Sequence, residues 1–436
     1  MALTADVVVV GGGMAGVCAS LAAREKGAKV LLVARASGAT ALSSGAIDFG
    51  GAVADATVGE GARAVSRQPG HPYALLGDAL PALLERTMAF LRRHLVSLGL
   101  EGARVAADKC LWLPTPVGTA RPAALVQSSI AGADLRNLSS RPARLAVIAF
   151  AGAQQVEAGL VASGLSRLLA PLGEAVAAPI DLYRTREDAL RSIAELARDL
   201  DRPGRRDLFA ASLLRAANAV RATHVLVPTL GFADPAVARA EVERTVERPV
   251  FEALGAPPSV PGLRLQAALA AALRAAGVRT VDGIAERSGD GGVQIVRGVE
   301  CQPVRAGAIV LASGRFIGGG IRCEPGSGLL HETVLDLPAF AAGRRNIAAL
   351  PSEELFAVKA SGAHPGMAAG IRVDAAFRPL DAATTVPVFA CGSLLGGFDP
   401  ARDSGGLGTC ALTGLCAGER AAEAASRAGA SAVAGR

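Results

Sequence analysis

Three glycines near the start of the chain, Gly11, Gly13 and Gly16, have the spacing of a dinucleotide phosphate-binding turn. They follow Asp6–Val10, an apolar β-branched run that predicts a buried strand, and they open Met14–Lys26, which predicts a helix. In this context Gly11 permits a tight turn, Gly13 lets the backbone approach a pyrophosphate, and Gly16 lets the helix pack closely. The pattern predicts a nucleotide-cofactor site at this turn.

The predicted helix begins at Met14 and Ala15, where amide N–H groups and a partial positive charge would face the phosphates. The second strand of the unit, Lys29–Ala34, ends without the acidic residue that hydrogen-bonds an adenosine ribose. Arg35 follows instead and could favour a phosphate. This argues against NAD, weakens the case for FAD, and leaves FMN unaffected because FMN has no adenosine.

Two later segments indicate a flavin. The predicted strand Gly307–Ala312, which ends in Ser313 and Gly314, resembles the A-T-G segment of flavin-dependent reductases. The predicted strand Val386–Gly392 and the glycine-rich stretch after it resemble the second flavin-binding region of those enzymes. The glycine-rich start of the last predicted helix would direct its dipole at the flavin. Ser393 stands where flavoproteins usually have an acidic residue, and its hydroxyl could bond a ribityl oxygen. The cofactor-binding candidates in these segments are Ser313, Gly314, Gly392, Ser393, Gly405, Gly406, Leu407 and Gly408.

Catalytic candidates are few. His364 precedes the last strand in a loop of the kind that often faces a flavin ring, although a surface histidine is the more frequent case. Arg121 and Arg264 could each hold a phosphate or carboxylate bidentately, but a structural arginine is favoured for both. The five histidines have no metal-ligand spacing, and the seven cysteines form no C-x-x-C pair, so we expect no metal site.

Composition excludes several classes of protein. Of the 436 residues, 51% are hydrophobic and only 3% aromatic, so the core must be aliphatic and disorder is excluded. The net charge of +6 comes without a block of like charges, and aromatic stacking platforms are scarce, so we expect no nucleic-acid partner. The uncharged run Val7–Ala23 contains the glycine turn and fits a strand, turn and helix better than a signal peptide or membrane span.

The order of predicted elements indicates an α/β fold. A Rossmann-like FAD/NAD(P)-binding domain with a parallel sheet is interrupted by a middle α/β insertion. We place the split flavin-binding domain at residues 1–52 plus 262–436, and the inserted cap, which would face substrate or a partner, at 53–261. Further predicted elements are a helical stretch at 74–98, a turn-rich segment at 113–122, strands at 145–151 and 224–228, a helix at 263–276, a strand at 277–281, a hairpin at 287–297 and a final helix at 405–425.

Longer motifs carry a more specific resemblance. The stretches VVVVGGGMAG, SSGAIDF, PTPVGTARP, PPSVPGLRLQ, VLASGRFIGGG and CGSLLGGFDP, followed by GGLGTCA, resemble the B subunits of anaerobic, quinone-linked glycerol-3-phosphate dehydrogenases across nearly the whole chain. These belong to a flavoprotein superfamily related to fumarate reductase and succinate dehydrogenase. In that superfamily the loop matching Ser43, Ser44 and Gly45 contacts the pyrophosphate or the isoalloxazine. The Arg-rich middle region is where this chain departs most from the family.

The resemblance implies a cytoplasmic flavin subunit, with FMN the usual cofactor and FAD possible. It also implies a larger FAD-bearing catalytic subunit, and an iron–sulfur subunit that holds the pair at the inner face of the membrane. The implied reaction is oxidation of sn-glycerol 3-phosphate, a small phosphorylated polyol, to dihydroxyacetone phosphate, with electrons passed towards quinone. One alternative is a self-contained flavin-dependent dehydrogenase of another hydroxy acid or polyol. Another is a flavin-less scaffold subunit, and a tRNA-modifying flavoprotein is a distant third.

Overall fold

The computed structural model describes residues 2–50, 56–140, 142–150, 157–182, 190–289, 291–359, 362–400 and 402–434. The strands in this part of the chain are β1 Leu3–Val10, β2 Val30–Ala34, β3 Glu101–Gly102, β4 Leu111–Pro114, β5 Ala120–Ala123, β6 Leu125–Val126, β7 Ala143–Val147, β8 Gly173–Ala177, β9 His224–Val227, β10 Val250–Glu252, β11 Arg279–Asp282, β12 Ile284–Arg287, β13 Val293–Arg297, β14 Glu300–Leu311, β15 Ile321–Cys323, β16 Leu330–Glu332 and β17 Val388–Ala390. The α-helices are α1 Met14–Glu25, α2 Val58–Ser66, α3 Leu80–His94, α4 Ser128–Ala131, α5 Leu135–Ser139, α6 Ala158–Leu169, α7 Ile193–Leu200, α8 Arg205–Ala219, α9 Pro235–Val246, α10 Val260–Ala275, α11 Ser352–Leu355 and α12 Gly406–Ala434.

The larger sheet has seven strands in the order β11-β2-β1-β14-β13-β12, and β17 also pairs with β14. Strands β11, β2, β1, β14 and β17 run parallel, so their carboxyl ends meet at one edge. The hairpin β12–β13 joins antiparallel to the first half of β14. Helices α1 and α12 pack on each other beside this sheet, and Gly414 and Gly418 of α12 press directly on Ala15 and Ala19.

The smaller sheet has four parallel strands in the order β10-β9-β7-β8. The chain leaves β7 for β8 on one side and then returns to β9 on the other. Because β8 and β9 lie on opposite sides of β7, the order reverses between β7 and β9. A reversal of this kind opens a crevice at the carboxyl ends of the two strands.

Burial explains why these segments adopt their structure. Val7, Val8 and Val9 of β1 are fully buried, as a β-branched run between two covered faces requires. Helix α10 begins where the Ser259 hydroxyl accepts the N–H of Gly262, and it ends at Ala275, just before Gly277. The apolar cores around the two sheets are separate clusters of buried side chains.

The α/β class with a parallel sheet is confirmed, and most predicted elements appear within a few residues of their expected bounds. The segment at 113–122 is a hairpin of β4 and β5 rather than turns alone. The hairpin expected at 287–297 is β12–β13, although Asp290 of its turn lies outside the described residues. The division of the chain at 52 and 262 stays a prediction. Side chains of α2 and α3 belong to the core of the larger sheet.

Candidate functional site

The carboxyl edge of the larger sheet gathers most of the residues that the sequence analysis selected. The glycine turn follows β1, and Arg35 follows β2, where it is exposed. Ser313 and Gly314 come just after β14, and Gly392 and Ser393 come just after β17. Parallel strands ending together therefore bring four segments that are far apart in sequence to one edge, which is where α/β proteins bind ligands.

The three glycines of the turn differ in whether the structure requires a glycine at their position. Gly11 has φ +120°, and a Cβ there would lie 2.1 Å from the carbonyl oxygen of Ala312. A Cβ on Gly16 would lie 1.9 Å from the carbonyl oxygen of Gly11. A Cβ on Gly13 would meet only the Thr40 hydroxyl, at 3.4 Å, so neither packing nor backbone conformation requires a glycine there. The open space above Gly13 is the feature expected where a ligand approaches the backbone.

The start of α1 is held from two sides. The first N–H groups of a helix have no acceptor within the helix, and that of Met14 donates to the Thr40 hydroxyl at 2.9 Å. The Gln266 side chain of α10 donates to the carbonyl oxygen of Gly12 at 3.1 Å. The N–H groups of Ala15 and Gly16 have no acceptor within the helix either. The turn is therefore fixed in place, with helix N–H groups at an anion-binding end.

The segments after β14 and β17 close on this turn. A Cβ on Gly392 would lie 2.5 Å from the Ala15 Cβ, so a glycine is required where the last strand meets α1. A Cβ on Gly314 would lie 3.5 Å from the Ser393 hydroxyl. The Ser313 hydroxyl is buried and has no hydrogen-bond partner among the described residues. A buried hydroxyl without a partner is costly unless a ligand or water satisfies it.

Helix α12 begins at Gly406, one residue later than predicted, after Ser404 with φ +48°. The N–H of Gly408 donates to the Asp48 carbonyl oxygen at 3.1 Å, and the N–H of Gly50 donates to the Ser404 carbonyl oxygen at 2.9 Å. These bonds hold the start of α12 against residues 48–50. Gly405, Gly406, Leu407 and Gly408 thus lie beside a segment that directly follows Ser43–Gly45 in the chain.

The Arg121 side chain contacts the segment 48–50 beside the start of α12. Its Nη2 donates to Asp48 Oδ2 at 2.9 Å, with the arginine side chain 39% exposed and the carboxylate only 5% exposed. Burial raises the pKa of Asp48 above its ordinary value, and the positive charge of Arg121 offsets part of that rise. Arg121 is therefore paired within the protein, and its hydrogen bond to Asp48 fixes the position of the partly exposed side chain.

A buried polar cluster surrounds the start of α12. It consists of Asp48, His71, Tyr73, Arg315 and Cys410. Burial lowers the pKa of His71 to about 4, so its ring is neutral, and burial lowers the pKa of Arg315 to about 10. Burial raises the pKa of Cys410 to about 11 and raises the pKa of Tyr73 as well. A neutral imidazole, a phenol and a guanidinium thus lie around one helix start.

The loop Ser43–Gly45 faces both regions of the molecule. The Ser43 hydroxyl is buried, and no atom in the described part of the chain forms a hydrogen bond with it. The Ser44 carbonyl oxygen accepts the N–H of Gly255 at 3.0 Å, and a Cβ on Gly45 would lie 2.4 Å from the Pro261 Cβ. The loop is therefore clamped between the carboxyl edge of the larger sheet and the segment that leads out of the smaller one.

His364 is linked to the site through backbone hydrogen bonds. It opens a turn in which its carbonyl oxygen accepts the N–H groups of Met367 and Ala368. The carbonyl oxygen of Ala368 in turn accepts the N–H of Gly397 at 2.9 Å. The turn is thus tied to the segment after Ser393, and a role for His364 beside a flavin ring stays a prediction.

Arg264 does not serve a ligand. It lies in α10 with its side chain 2% exposed and binds both oxygens of the buried Glu252 at 2.7 Å. Ser129 and the N–H of Leu230 also bond to this carboxylate. The structural interpretation of Arg264, favoured from the sequence, is the one observed.

Sequence reasoning missed several residues of the site. Asp48 lies in the SSGAIDF stretch and Arg315 in the VLASGRFIGGG stretch, so both had a signal in motifs already selected. His71 and Tyr73 had none, because they reach the start of α12 from a 3₁₀ helix at Pro72–Ala79 and its N-cap. His71 packs edge-on against Tyr73 and Phe398.

The residues present fit a flavin nucleotide. The turn leaves space above Gly13, and the start of α1 offers N–H groups. The buried hydroxyls of Ser43 and Ser313 have no partner within the ranges that the structure describes. A metal centre finds no such support, since no group of three or more His, Cys, Asp or Glu side chains within the described ranges could hold an ion. No helix in those ranges is both long enough and apolar enough to span a bilayer.

Comparison with known proteins agrees with this geometry. The model of the FAD-binding domain family matches residues 6–409. A relative from Vibrio vulnificus, named as the B subunit of an anaerobic glycerol-3-phosphate dehydrogenase, is 28% identical over 96% of this chain and 96% of its own. A relative from Halobacterium salinarum, named as the probable B subunit of the same type of enzyme, is 31% identical over 97% and 99%. A solved structure of E. coli quinol fumarate reductase is 13% identical, with a TM-score of 0.42, over 99% of this chain and 73% of that chain.

Proposed function

Because the chain belongs to the FAD-binding domain family, and to the family of glycerol-3-phosphate dehydrogenase B subunits within it, we propose that it is the flavin-bearing B subunit of such an enzyme. The proposed reaction is oxidation of sn-glycerol 3-phosphate to dihydroxyacetone phosphate. The observation that carries the proposal is the assembly of Gly13, Ser313 and Ser393 at one sheet edge, where Gly392 meets the start of α1. Flavin is the cofactor, and the family model makes FAD the main candidate.

Different residues of the chain would bind different parts of the flavin. The start of α1 would hold the phosphates, with Thr40 and Gln266 fixing the turn. The unpartnered hydroxyls of Ser43 and Ser313 would donate or accept hydrogen bonds along the cofactor. When bound, the flavin would take a hydride or electrons from an alcohol and pass them on. The start of α12 would stabilise negative charge on its reduced form.

The substrate side of the proposal rests on Arg121. Its guanidinium is held by the buried Asp48, and the side chain as a whole remains 39% exposed, so it could meet the phosphate of a small polyol. His364 is proposed as the second group near the reacting carbon. Both roles come from the sequence, and the partial exposure of the Arg121 side chain supports the first of them.

The assembly is part of the proposal. The relatives are named as B subunits, so the chain is expected to work in a complex. The proposed partners are those that the sequence resemblance implies, a larger FAD-bearing catalytic subunit and an iron–sulfur subunit. The complex would lie in the cytoplasm against the inner face of the membrane, with this chain attached through a partner.

The first experiment is an absorbance scan of the purified chain, followed by chromatography of the heat-released cofactor. Released FAD is the expected result, and glycerol 3-phosphate turnover by the chain with its partners is the next measurement. A colourless chain that stabilises its partner would support the scaffold alternative instead. Turnover of another polyol by the chain alone would support the self-contained dehydrogenase.

A matched pair of variants tests the placement of the cofactor. Gly13→Val puts a side chain into the open space above the turn, so flavin retention is expected to disappear. Gly289→Val adds the same side chain in the β12–β13 turn, where no described residue lies within 4 Å of the added Cβ, and this variant is expected to retain flavin fully. Equal flavin content in both variants would refute the assignment of the turn.

A further inference from the structure

A second ligand site, beyond the proposed flavin function, is suggested by the smaller sheet. A cavity of about 170 Å³ lies at the carboxyl ends of β7, β9 and β10. Val147 and Ile148 line it from β7 and the residue after it, and Leu226 and Val227 line it from β9. These are the two strands between which the strand order reverses, and such a reversal is where doubly wound sheets bind their ligands.

The lining determines what could bind. Every described side chain that lines the cavity is apolar, so nothing there would neutralise a charged ligand. Pro257, Pro258 and Pro261 form one wall, and prolines have no N–H to donate. A charged molecule would lose its hydration with no opposite charge among the described lining side chains to compensate it. The wall therefore selects an uncharged, mainly apolar compound.

The size of the cavity limits the ligand further. An engineered apolar cavity of about 150 Å³ holds a benzene molecule. The cavity in this chain is of similar volume, so it accommodates one substituted ring. The proline-rich wall is also conformationally restricted, so little ordering would accompany binding.

The same wall contacts the candidate flavin site. Gly255 lines the cavity and donates its N–H to the Ser44 carbonyl oxygen at 3.0 Å. Pro261 also lines it and packs against Gly45, while its carbonyl oxygen accepts from Gln127 at 2.8 Å. An occupant of the cavity would therefore touch the residues that position the Ser43–Gly45 loop.

We propose that this cavity is a binding site for an uncharged compound the size of one substituted aromatic ring, separate from the glycine-lined edge of the larger sheet. The direct test is calorimetry on the full chain with two probes that share a ring. The probe p-cresol is uncharged at neutral pH, whereas p-toluenesulfonate carries a negative charge. Saturable one-to-one binding of p-cresol, with the sulfonate at least tenfold weaker, is expected.

Variants locate the binding to the cavity. Ile193 lines the cavity at the start of α7 and is only partly buried, so Ile193→Trp is expected to fill the space and weaken p-cresol binding at least tenfold. Leu190→Trp adds the same bulk three residues earlier, at an 85% exposed position outside the lining, and should change binding less than twofold. Equal binding by the two variants would overturn the proposal.

Methyl NMR of the unaltered chain keeps the proposal testable if the tryptophan variant fails to fold. Saturation with p-cresol is expected to shift the methyl signals of Ile148 and Ile193 and to leave that of Ile284 unchanged. No saturable shift at Ile148 or Ile193 would overturn the proposal. Flavin content measured on the same samples separates this result from any failure of the proposed function.

Discussion

The two sheets of this chain present different chemistry at the carboxyl ends of their parallel strands. At the carboxyl ends of the larger sheet, glycines open space over backbone N–H groups, and buried hydroxyls have no hydrogen-bond partner among the described residues. At the carboxyl ends of β7 and β9 in the smaller sheet, the described side chains that line the cavity are prolines and aliphatic residues, none of them charged. Sheet topology selects the edge in both cases, but the residue types after the strands decide whether that edge suits an anion or an apolar ring.

The largest expected effect comes from breaking the join between the two regions. Glu252 ends β10 of the smaller sheet, and Arg264 lies in α10, which leads back to the larger sheet. Arg264→Ala would leave a buried carboxylate without its cation, so we expect a loss of about 3–5 kcal/mol in the free energy of unfolding. Urea denaturation measures this loss.

A partly exposed ion pair provides the control for the Arg264→Ala variant. Arg86 and Glu419 join α3 to α12 with side chains 49% and 24% exposed. Solvent screens such a pair, and Arg86→Ala should cost no more than about 1 kcal/mol. A cost for Arg264→Ala as small as this would mean that Glu252 does not depend on the arginine.

Two buried glutamates are expected to make the stability of the folded chain depend on pH in different ways. Burial opposes charge at both positions, but Glu252 has Arg264 beside it and its pKa is lowered. Glu332 accepts the N–H groups of Val334 and Leu335 and has no cation among the described residues within ion-pair distance, and burial raises its pKa to about 7. The two carboxyl groups therefore affect stability in opposite pH ranges.

The direction in which stability changes with pH follows from whether the folded or the unfolded chain binds the proton more tightly. Between the ordinary pKa of 4.5 and about 7, the folded chain holds the Glu332 proton more tightly than the unfolded chain, so stability falls as pH rises. Glu332→Gln is expected to remove a slope of up to about 1.4 kcal/mol per pH unit, measured by urea unfolding across this range. The Glu252 contribution is present above pH 4.5 and is lost as pH falls through the lowered pKa. An unchanged slope in Glu332→Gln would contradict the assignment.

The smallest expected effect concerns cofactor choice at the glycine edge. Ala34 ends β2 where an acidic residue would contact an adenosine ribose, and its Cβ would lie 2.9 Å from a Cβ on Gly12. Ala34→Glu would supply a hydrogen bond worth ~1 kcal/mol and raise the FAD-to-FMN ratio retained by roughly fivefold. Chromatography of the released cofactor measures the ratio, with Ala34→Lys as the control of opposite charge. No change would mean that the adenosine half lies elsewhere.

Local patterns predicted the elements of the larger sheet and the glycine turn. The valine run of β1, the glycines after it and the helix after them share one stretch of chain, so period and turn chemistry were sufficient. The pairing of Arg121 with Asp48 joins residues 73 positions apart. No local signal carries such a contact, because only the folded chain brings β5 beside the start of α12.

The smaller sheet was harder to predict for a related reason. Strand β10 has only three residues and β8 is partly exposed, so neither gives a clear hydrophobic pattern. The strand order that creates the crevice between β7 and β9 is a property of the tertiary fold. The cavity was therefore not expected from sequence, although its prolines were visible in the stretch PPSVPG.

The pairing of β1 with β14 has a consequence for how the chain is made. Val7 lies opposite Ala308, so the first strand emerges from the ribosome about 300 residues before its neighbour. At about 5–20 residues per second, synthesis of that stretch takes roughly 15–60 s. During that time the valine edge of β1 has only β2 to pair with, and we expect chaperones to bind the nascent chain there until β14 arrives.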